Sequence, residues 1–500
     1  MFSTEDTIVA IATPPGRGGI GVVRISGPCS REIAGMILER REPLQPRRAT
    51  YTRVAARAFT AREADRERLP RSAIDEVVAT CFPAPHSYTG EHVVEISAHG
   101  SPVVLQAIVG SAIEAGARLA EPGEFTLRAF LNGKRDLIQA EAVADLIAAA
   151  TPLQARVAFD QLEGTLTQRI TAIDAELFDL IARLEASLDF PDEGYHFIEP
   201  AETARRVGCV VARLDQLLGS ARRGRMIREG ATVVVAGRPN VGKSSIFNML
   251  AGADRAIVTA IAGTTRDLVA EQVDIDGLAI TVVDTAGWRE TFDPVEREGV
   301  SRGERAREVA DLVVVVLDQS EPATKEDEQL LARTAGRPRI VAANKADLPA
   351  RLELGRLEPA PTTDEEKPAP TTEGTGEAAG SGLCAAPKPP TGEGGSRPII
   401  VSAKTGAGAD ELRRAIVREL TGGESLRDTA AISNARHVAL IEQARASLAS
   451  AEGAVGAGDT PEEFVLADLQ AARARLEEIV GARGSEDLLQ HIFEKFCIGK

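Results

Sequence analysis

The sequence predicts an α/β protein in three parts: an N-terminal mixed α/β domain, a helical domain, and a phosphate-loop domain with a mostly parallel sheet inserted into the helical one. Three observations predict it. Between residues 232 and 420, β-rich runs alternate with helical patterns, as a parallel sheet flanked by helices requires. The string "GRPNVGKSS", Gly237 to Ser245, stands where one of those runs passes into a helical pattern. Apolar residues recur at three- and four-residue spacing both before that region and after about residue 425, so one helical domain is read as being interrupted by the other.

Along residues 1–120, "TIVAIAT", "GVVRISG", "EVVATCF" and "VVEISAHG" read as strands, with "SREIAGMILE" and "PVVLQAIVGSAIEAG" as helices. Residues 121–228, from "PGEFTLRAFLNGK" through "LFDLIARLEASL" and "VVARLDQLL", carry the helical period. Residues 229–423 follow with the strands "TVVVAG", "AITVVD", "LVVVVLD", "RIVAAN" and "PIIVSA". Residues 424–500 return to helix, as in "FVLADLQAARARLEEIV". Within the third region, residues 352–397 are rich in Pro, Gly, Thr and Glu with few large apolar side chains, and read as a disordered insert that serves as a solvated spacer.

Bulk properties exclude several classes. A length of 500 residues suggests about three domains, each able to bury a core without staples. The cysteines, Cys29, Cys81, Cys209, Cys384 and Cys497, are odd in number and form no C-x-x-C pair, which fits a reducing compartment and supports no metal cluster. The opening residues match neither a signal nor a transit peptide, and no run spans a bilayer, so a soluble, cytoplasmic chain is expected. With 58 Lys plus Arg against 74 Asp plus Glu, the net charge of −16 leaves no broad basic footprint for nucleic acid. Any RNA contact is expected to be local or shared with a partner.

"GRPNVGKSS" fits G-x-x-x-x-G-K-[ST], and its context between strand and helix makes the match strong. Gly237 and Gly242 allow the backbone of Asn240, Val241, Gly242, Lys243, Ser244 and Ser245 to curl around phosphates; Lys243 reaches the terminal ones and Ser244 offers its hydroxyl to Mg2+. Base identity is read further on. "NKAD", Asn344, Lys345, Ala346 and Asp347, follows a strand, and Asp347 can accept from the N1 and N2 donors of guanine, a pair that adenine lacks. Asn344 is expected to tie this loop to the phosphate loop and Lys345 to lie along the ring. "SAK", Ser402, Ala403 and Lys404, also follows a strand and offers the Ala403 N–H to guanine O6. In the loop "TAIAGTT", Thr259, Ala260, Ile261, Ala262, Gly263, Thr264 and Thr265, the last threonine is the expected second hydroxyl on Mg2+. Asp284, Thr285, Ala286 and Gly287 form the D-x-x-G sensor of the γ-phosphate. In this order the motifs select GTP over ATP. Yet Trp288 follows Gly287 where Ras-like GTPases carry a water-positioning glutamine, and an indole cannot do that work.

From end to end, through "TPPGRGGIGVVRISG", "YTGEHVVEI", "PGEFTLRAFLNGK", "LDFPDE", "GRPNVGKSS", "AGTTRD", "DTAG", "NKAD" and "FCIGK", the chain resembles the MnmE (TrmE/ThdF) family of tRNA modification GTPases. The resemblance implies a GTP hydrolase acting in tRNA wobble uridine modification, activated when the G domains of a homodimer enclose K+. Its ligands by position are the Asn240 side chain and the carbonyls of Thr259, Ile261 and Thr264. A fixed cation there offsets charge that develops in the transition state, as an arginine finger does elsewhere. From its residue type alone, Asn240 can also be read as a turn former. Glu296 is implied to orient water, although Asp293-Pro294-Val295-Glu296 also reads as a helix cap.

The resemblance further implies that the N-terminal domain binds a reduced folate, 5-formyl- or methylene-tetrahydrofolate, through Arg24, Glu95, Lys134 and Lys500. Taken singly, those charges read as surface or ion-paired groups. "SAHGS" departs from the family's usual H-G-G, and Trp288 from its usual aliphatic residue. Cys497 invites a nucleophile reading beside the more ordinary one of a packed thiol. The partners implied are tRNA and an FAD-dependent MnmG-like protein in a heterotetramer, with no membrane. Two other readings stay open: a regulatory GTPase of ribosome assembly, and a folate-binding scaffold with a slow GTPase.

Overall fold

The structure, a computed structural model, describes residues 5–56, 72–189, 199–252, 269–284, 310–353, 397–423, 432–457, 461–482, 486–494 and 496–499. The chain divides into two compact units, one of residues 1–149, 154–228 and 429–500, the other of residues 150–153 and 229–428.

In the first unit, β1 (Ile8–Ile11), β2 (Gly18–Ser26), β3 (Thr50–Ala56), β4 (Ser72–Phe82), β5 (Val93–Gly100) and β6 (Arg118–Leu119) form one sheet in the order β3-β4-β5-β2-β1-β6. All neighbours are antiparallel except β1 and β6. Alternating burial along β5 turns Val94, Ile96 and Ala98 toward helices α1 (Ser30–Ile37) and α2 (Pro102–Glu114), where they meet Ile33, Leu105 and Ile108. β3 and β6 are absent from the sequence reading. β3 carries Arg53 between Thr52 and Val54, and its exposed face is polar; Arg53 pairs with Glu76 of β4 at 2.8 Å.

Helices follow: α3 (Glu124–Leu131), α4 (Leu137–Ala148), α5 (Pro152–Leu162), α6 (Thr165–Asp189), α7 (Pro200–Gly219) and α8 (Ala221–Glu229). Asp136 starts α4 with a capping box, its side chain accepting from Gln139 N and its own N–H donating to the Gln139 side chain. Beyond the second unit come α12 (Ala435–Ala457), α13 (Glu462–Val480) and α14 (Glu486–Phe493). Leu177, Leu180 and Leu184 of α6, Val207, Val210 and Leu214 of α7, Ile441 and Leu448 of α12 and Leu469 and Leu476 of α13 close one core. Their spacing of three, four or seven residues places each set on a single helix face.

The motif "PGEFTLRAF" has a structural meaning. Gly123 adopts φ 69, and a Cβ there would stand 2.6 Å from the Phe493 carbonyl, so the approach of the C-terminal segment demands glycine. Arg128, 1% exposed, pairs with Glu124 at 2.9 Å and Asp6 at 2.6 Å, while Arg118 pairs with the same two acids. Breaking such a buried network strands a charge and costs about 3–5 kcal/mol.

The second unit holds β7 (Ala231–Ala236), β8 (Val269–Ile275), β9 (Leu278–Asp284), β10 (Leu312–Asp318), β11 (Arg339–Asn344) and β12 (Ile399–Ile400) in the order β12-β11-β10-β7-β9-β8. All pairs are parallel except β8 with β9. Central β7 and β10 are buried on both faces, which is why they read as unbroken valine runs. The flanking helices are α9 (Lys243–Ala251), α10 (Lys325–Arg333) and α11 (Ala409–Thr421). β8 is a further strand the sequence reading lacks. Its signal is present: Asp276 and Gly277, at φ 51 and 92, make the two-residue D-G hairpin turn into β9. The insert read at residues 352–397 falls almost wholly outside the described residues.

Candidate functional site

In the second unit every parallel strand delivers its motif at the same carboxyl edge. β7 ends at Ala236 before the phosphate loop, β9 at Asp284, β10 at Asp318, β11 at Asn344, and β12 leads into Ser402. Register fixes the neighbours, Val235 beside Asp284 and Asp318 beside Asn344. Such an edge is where sheets of this kind hold ligands.

The phosphate loop owes its shape to two left-handed residues, Asn240 at φ 64 and Gly242 at φ 94. A Cβ on Gly242 would lie 2.2 Å from Asn344 Nδ2, and one on Gly237 would lie 2.6 Å from the Val316 carbonyl. Close approach therefore requires both glycines, and Gly242 is required by its conformation as well. Ser244 and Ser245 are exposed at the first turn of α9, as is Asn240 before it. Lys243 is buried, and its Nζ donates to the Arg238 carbonyl at 2.9 Å. Arg238 is anchored in turn by Glu321 at 2.6 Å and Asp327 at 3.3 Å.

Asn344 joins the loops. Its Nδ2 donates to the Val241 carbonyl at 2.8 Å, as expected from the sequence. Its Oδ1 accepts the Ala403 N–H at 3.1 Å, so the group expected to meet guanine O6 is engaged within the protein. Lys345, at φ 66, places Nζ 2.5 Å from Asp318 Oδ2. Burial works to raise the Asp318 pKa, but hydrogen bonds from Lys345 and Ser320 hold it below the usual carboxylate value. Asp347 is exposed; the Ser402 hydroxyl donates to its Oδ1 at 2.7 Å, and that bond holds its carboxyl low as well. Its ionised form is the acceptor that a base carrying two adjacent donors requires. Lys404 stands 3.9 Å from the other Asp347 oxygen.

Thr259, Ala260, Ile261, Ala262, Gly263, Thr264, Thr265, Thr285, Ala286, Gly287, Trp288 and Glu296 lie outside the described residues, as does the Asp284 side chain.

In the first unit, antiparallel register sets Arg24 of β2 opposite Glu95 of β5, and the pair closes at 2.9 Å. The Arg24 guanidinium stacks 5.0 Å from the Tyr88 ring and 5.6 Å from Phe125, while Arg135 covers Tyr88 at 5.5 Å. Tyr88 and Phe125 are residues that the sequence reading did not connect with Arg24; they sit in "YTGEH" and "PGEF", strings it did quote. Arg24 Nη1 is buried with no hydrogen-bond partner among the described residues. Lys134 is exposed, its stem against Gly90. Cys497 is exposed rather than packed, and its carbonyl accepts the Gly123 N–H at 3.4 Å. Lys500 lies outside the described residues.

A parallel sheet with a phosphate loop, N-K-x-D and S-A-K at one edge defines a P-loop GTPase. The chain matches the MnmE helical domain over residues 137–497 and the N-terminus of GTP-binding protein TrmE over residues 7–134. It is 42% identical over 501 residues to the tRNA modification GTPase MnmE of Koribacter versatilis, covering 100% of both chains. With that of Laribacter hongkongensis it shares 42% over 502 residues, again 100% of each. The G domain of the T. maritima FeoB iron transporter overlaps 38% of this chain and 98% of its own at 22% identity and a TM-score of 0.25. The chain belongs to the MnmE family of tRNA modification GTPases.

Proposed function

We propose that this chain hydrolyses GTP to drive addition of an aminomethyl or carboxymethylaminomethyl group at C5 of the wobble uridine of certain tRNAs. The nucleotide half rests on one observation: the Asn344 carboxamide holds the phosphate loop at Val241 and the base loop at Ala403 in a single side chain. The tRNA half rests on family membership over the full length. We assign residues 1–120 to a folate-binding domain, 121–228 and 424–500 to the helical domain and 229–423 to the G domain.

In this reading Lys243 and the N–H groups of the phosphate loop offset phosphate charge, and Ser244 with Thr265 holds Mg2+. Asn240, which is exposed at φ 64, joins the carbonyls of Thr259, Ile261 and Thr264 around K+ when two copies pair through their G domains. Glu296 orients the attacking water, and Asp284 with Gly287 reports the γ-phosphate. Arg24 Nη1, without a hydrogen-bond partner among the described residues, and the half-open Glu95, 30% exposed, fit a folate, an acceptor-rich ligand whose pterin edge presents paired donors. Arg24, Glu95, Lys134 and Lys500 would hold it, and when bound it supplies the one-carbon unit. An FAD-dependent MnmG-like protein completes a heterotetramer and carries most of the tRNA contact, in keeping with the net charge of −16, and the assembly works in the cytoplasm.

GTP turnover in potassium against sodium tests the first half: stimulation by K+ is expected, lost in Asn240→Ala. Equal turnover in both salts favours a folate-binding scaffold with a slow GTPase. Mass analysis of wobble uridines in cells lacking the chain tests the second half, and unmodified uridine is the expected result; unchanged tRNA overturns it.

A further inference from the structure

The chain re-enters the first unit at Thr429, and the first described residues beyond it, Ile432–Asn434, are held tightly. Gly224 of α8 packs so closely that a Cβ would stand 1.7 Å from the Ile432 carbonyl. Gln161 of α5 donates to the Ser433 hydroxyl at 2.8 Å, and Asn434 Oδ1 accepts the Arg436 N–H at 3.0 Å at the start of α12.

Arg436 then reaches in two directions. Its Nε and Nη2 donate to both Glu141 oxygens of α4, at 3.0 and 2.9 Å, where His437 Nε2 also meets Glu141 at 2.6 Å. Its Nη1 and Nη2 further donate to the carbonyls of Glu478 and Ile479, at 3.3 and 3.2 Å. Those carbonyls belong to the last turn of α13, where the Glu478 carbonyl also accepts the Gly481 N–H at 3.3 Å. One side chain thus fastens the start of α12, the middle of α4 and the end of α13. Immediately after α13, Gly481 is wedged against Phe130 and Leu137, with a Cβ contact of 2.7 Å to the former. From there α14 leads into the terminal segment, where Ile498 bridges to Pro122 and Gly499 packs on the Ile11 carbonyl. That segment ends beside the strand that neighbours Arg24.

We propose that Arg436 is a positioning residue: it ties the point where the chain returns from the nucleotide unit to the docking of the C-terminal segment that carries Cys497. Nucleotide state then sets how that segment lies on Gly123 and β1, and, by reciprocity of coupling, the segment's docking biases the nucleotide unit. The inference rests on the GTPase cycle proposed above and supplies its route to the N-terminal sheet. Physically, a bidentate guanidinium–carboxylate pair buried with two helix-end carbonyls is stiff, so a shift at Ile432–Asn434 is passed on to the end of α13.

The test is the alkylation rate of Cys497 in the full chain in potassium, resolved by peptide mass spectrometry, with GDP and with GDP plus aluminium fluoride. The natural chain is expected to show rates that differ about fivefold between the two states. In Arg436→Gln the two rates should coincide while GTP turnover stays within about twofold, a change of less than about 0.5 kcal/mol in barrier. Cys29 and Cys209, both exposed, should be unaffected, and Cys81, which is buried, reports unfolding if it becomes reactive. Should it do so, Glu141→Gln, which keeps the shape of the cluster, replaces that variant and should also narrow the ratio. An unchanged nucleotide response in these variants, or none in the natural chain, overturns the proposal. Because no tRNA enters the assay, loss of the wobble uridine result leaves this inference standing, and the converse holds too.

Discussion

Asn344 is the residue on which the proposed nucleotide site turns, because it meets two backbone groups from different loops, Val241 O and the Ala403 N–H. Leaving a buried donor or acceptor unmade costs about 1–3 kcal/mol. Asn344→Ala should therefore weaken GTP binding by at least about tenfold in a titration with a fluorescent guanine nucleotide. Gly242→Ala should do more damage, since its φ of 94 and the 2.2 Å approach of Asn344 Nδ2 leave no room for a methyl group. Near-normal affinity in either variant would sink this account of the site. The types and spacing of these residues were legible in the sequence. That Ala403 donates to Asn344 was not, because a backbone N–H carries no residue-type signal.

At the scale of elements, α4 and α12 are joined by Glu141, Arg436 and His437. Burial acts to raise the Glu141 pKa, yet the bonds from His437 and Arg436 bring it from 4.5 to about 2. Burial is the main influence on His437, holding it below 6.5 against the pull of Glu141. The neutral ring donates from Nε2, and its Nδ1 has no partner, so a second proton would be a buried donor with no acceptor among the described residues. Both folded values are depressed, so the unfolded chain binds more protons at acid pH. The stability this joint contributes is complete above pH 6.5. It should decline first as pH falls below 6.5, as His437 titrates, and again between 4.5 and about 2, as Glu141 does. Urea midpoints of the natural chain and His437→Gln at pH 7.5 and 5.5 check the first part: the variant should lose less on acidification. Equal losses would remove His437 from the explanation. Nothing in the sequence distinguished this histidine, since its partner lies 296 positions away.

The molecule as a whole consists of two units with separate cores, one interrupting the other in sequence. In the proposed reading GTP binds groups of the second unit, so scanning calorimetry should show two transitions of which nucleotide raises one. At a hundredfold excess over Kd the gain is about 2.7 kcal/mol. A single transition that moves as a whole would show that the units unfold together. By itself the sequence determined the α/β class, the central strands, the main helices and the guanine motifs, because these depend on local period and on residue types at short spacing. It left β3, β6 and β8 unread, since an edge strand with a wet face carries a weak apolar signal, and it did not connect Arg24 with Tyr88 and Phe125 or Glu141 with Arg436 and His437. Only the tertiary structure decided those, for they arise from strand register and helix packing between distant segments, and no local preference encodes which distant surfaces will meet.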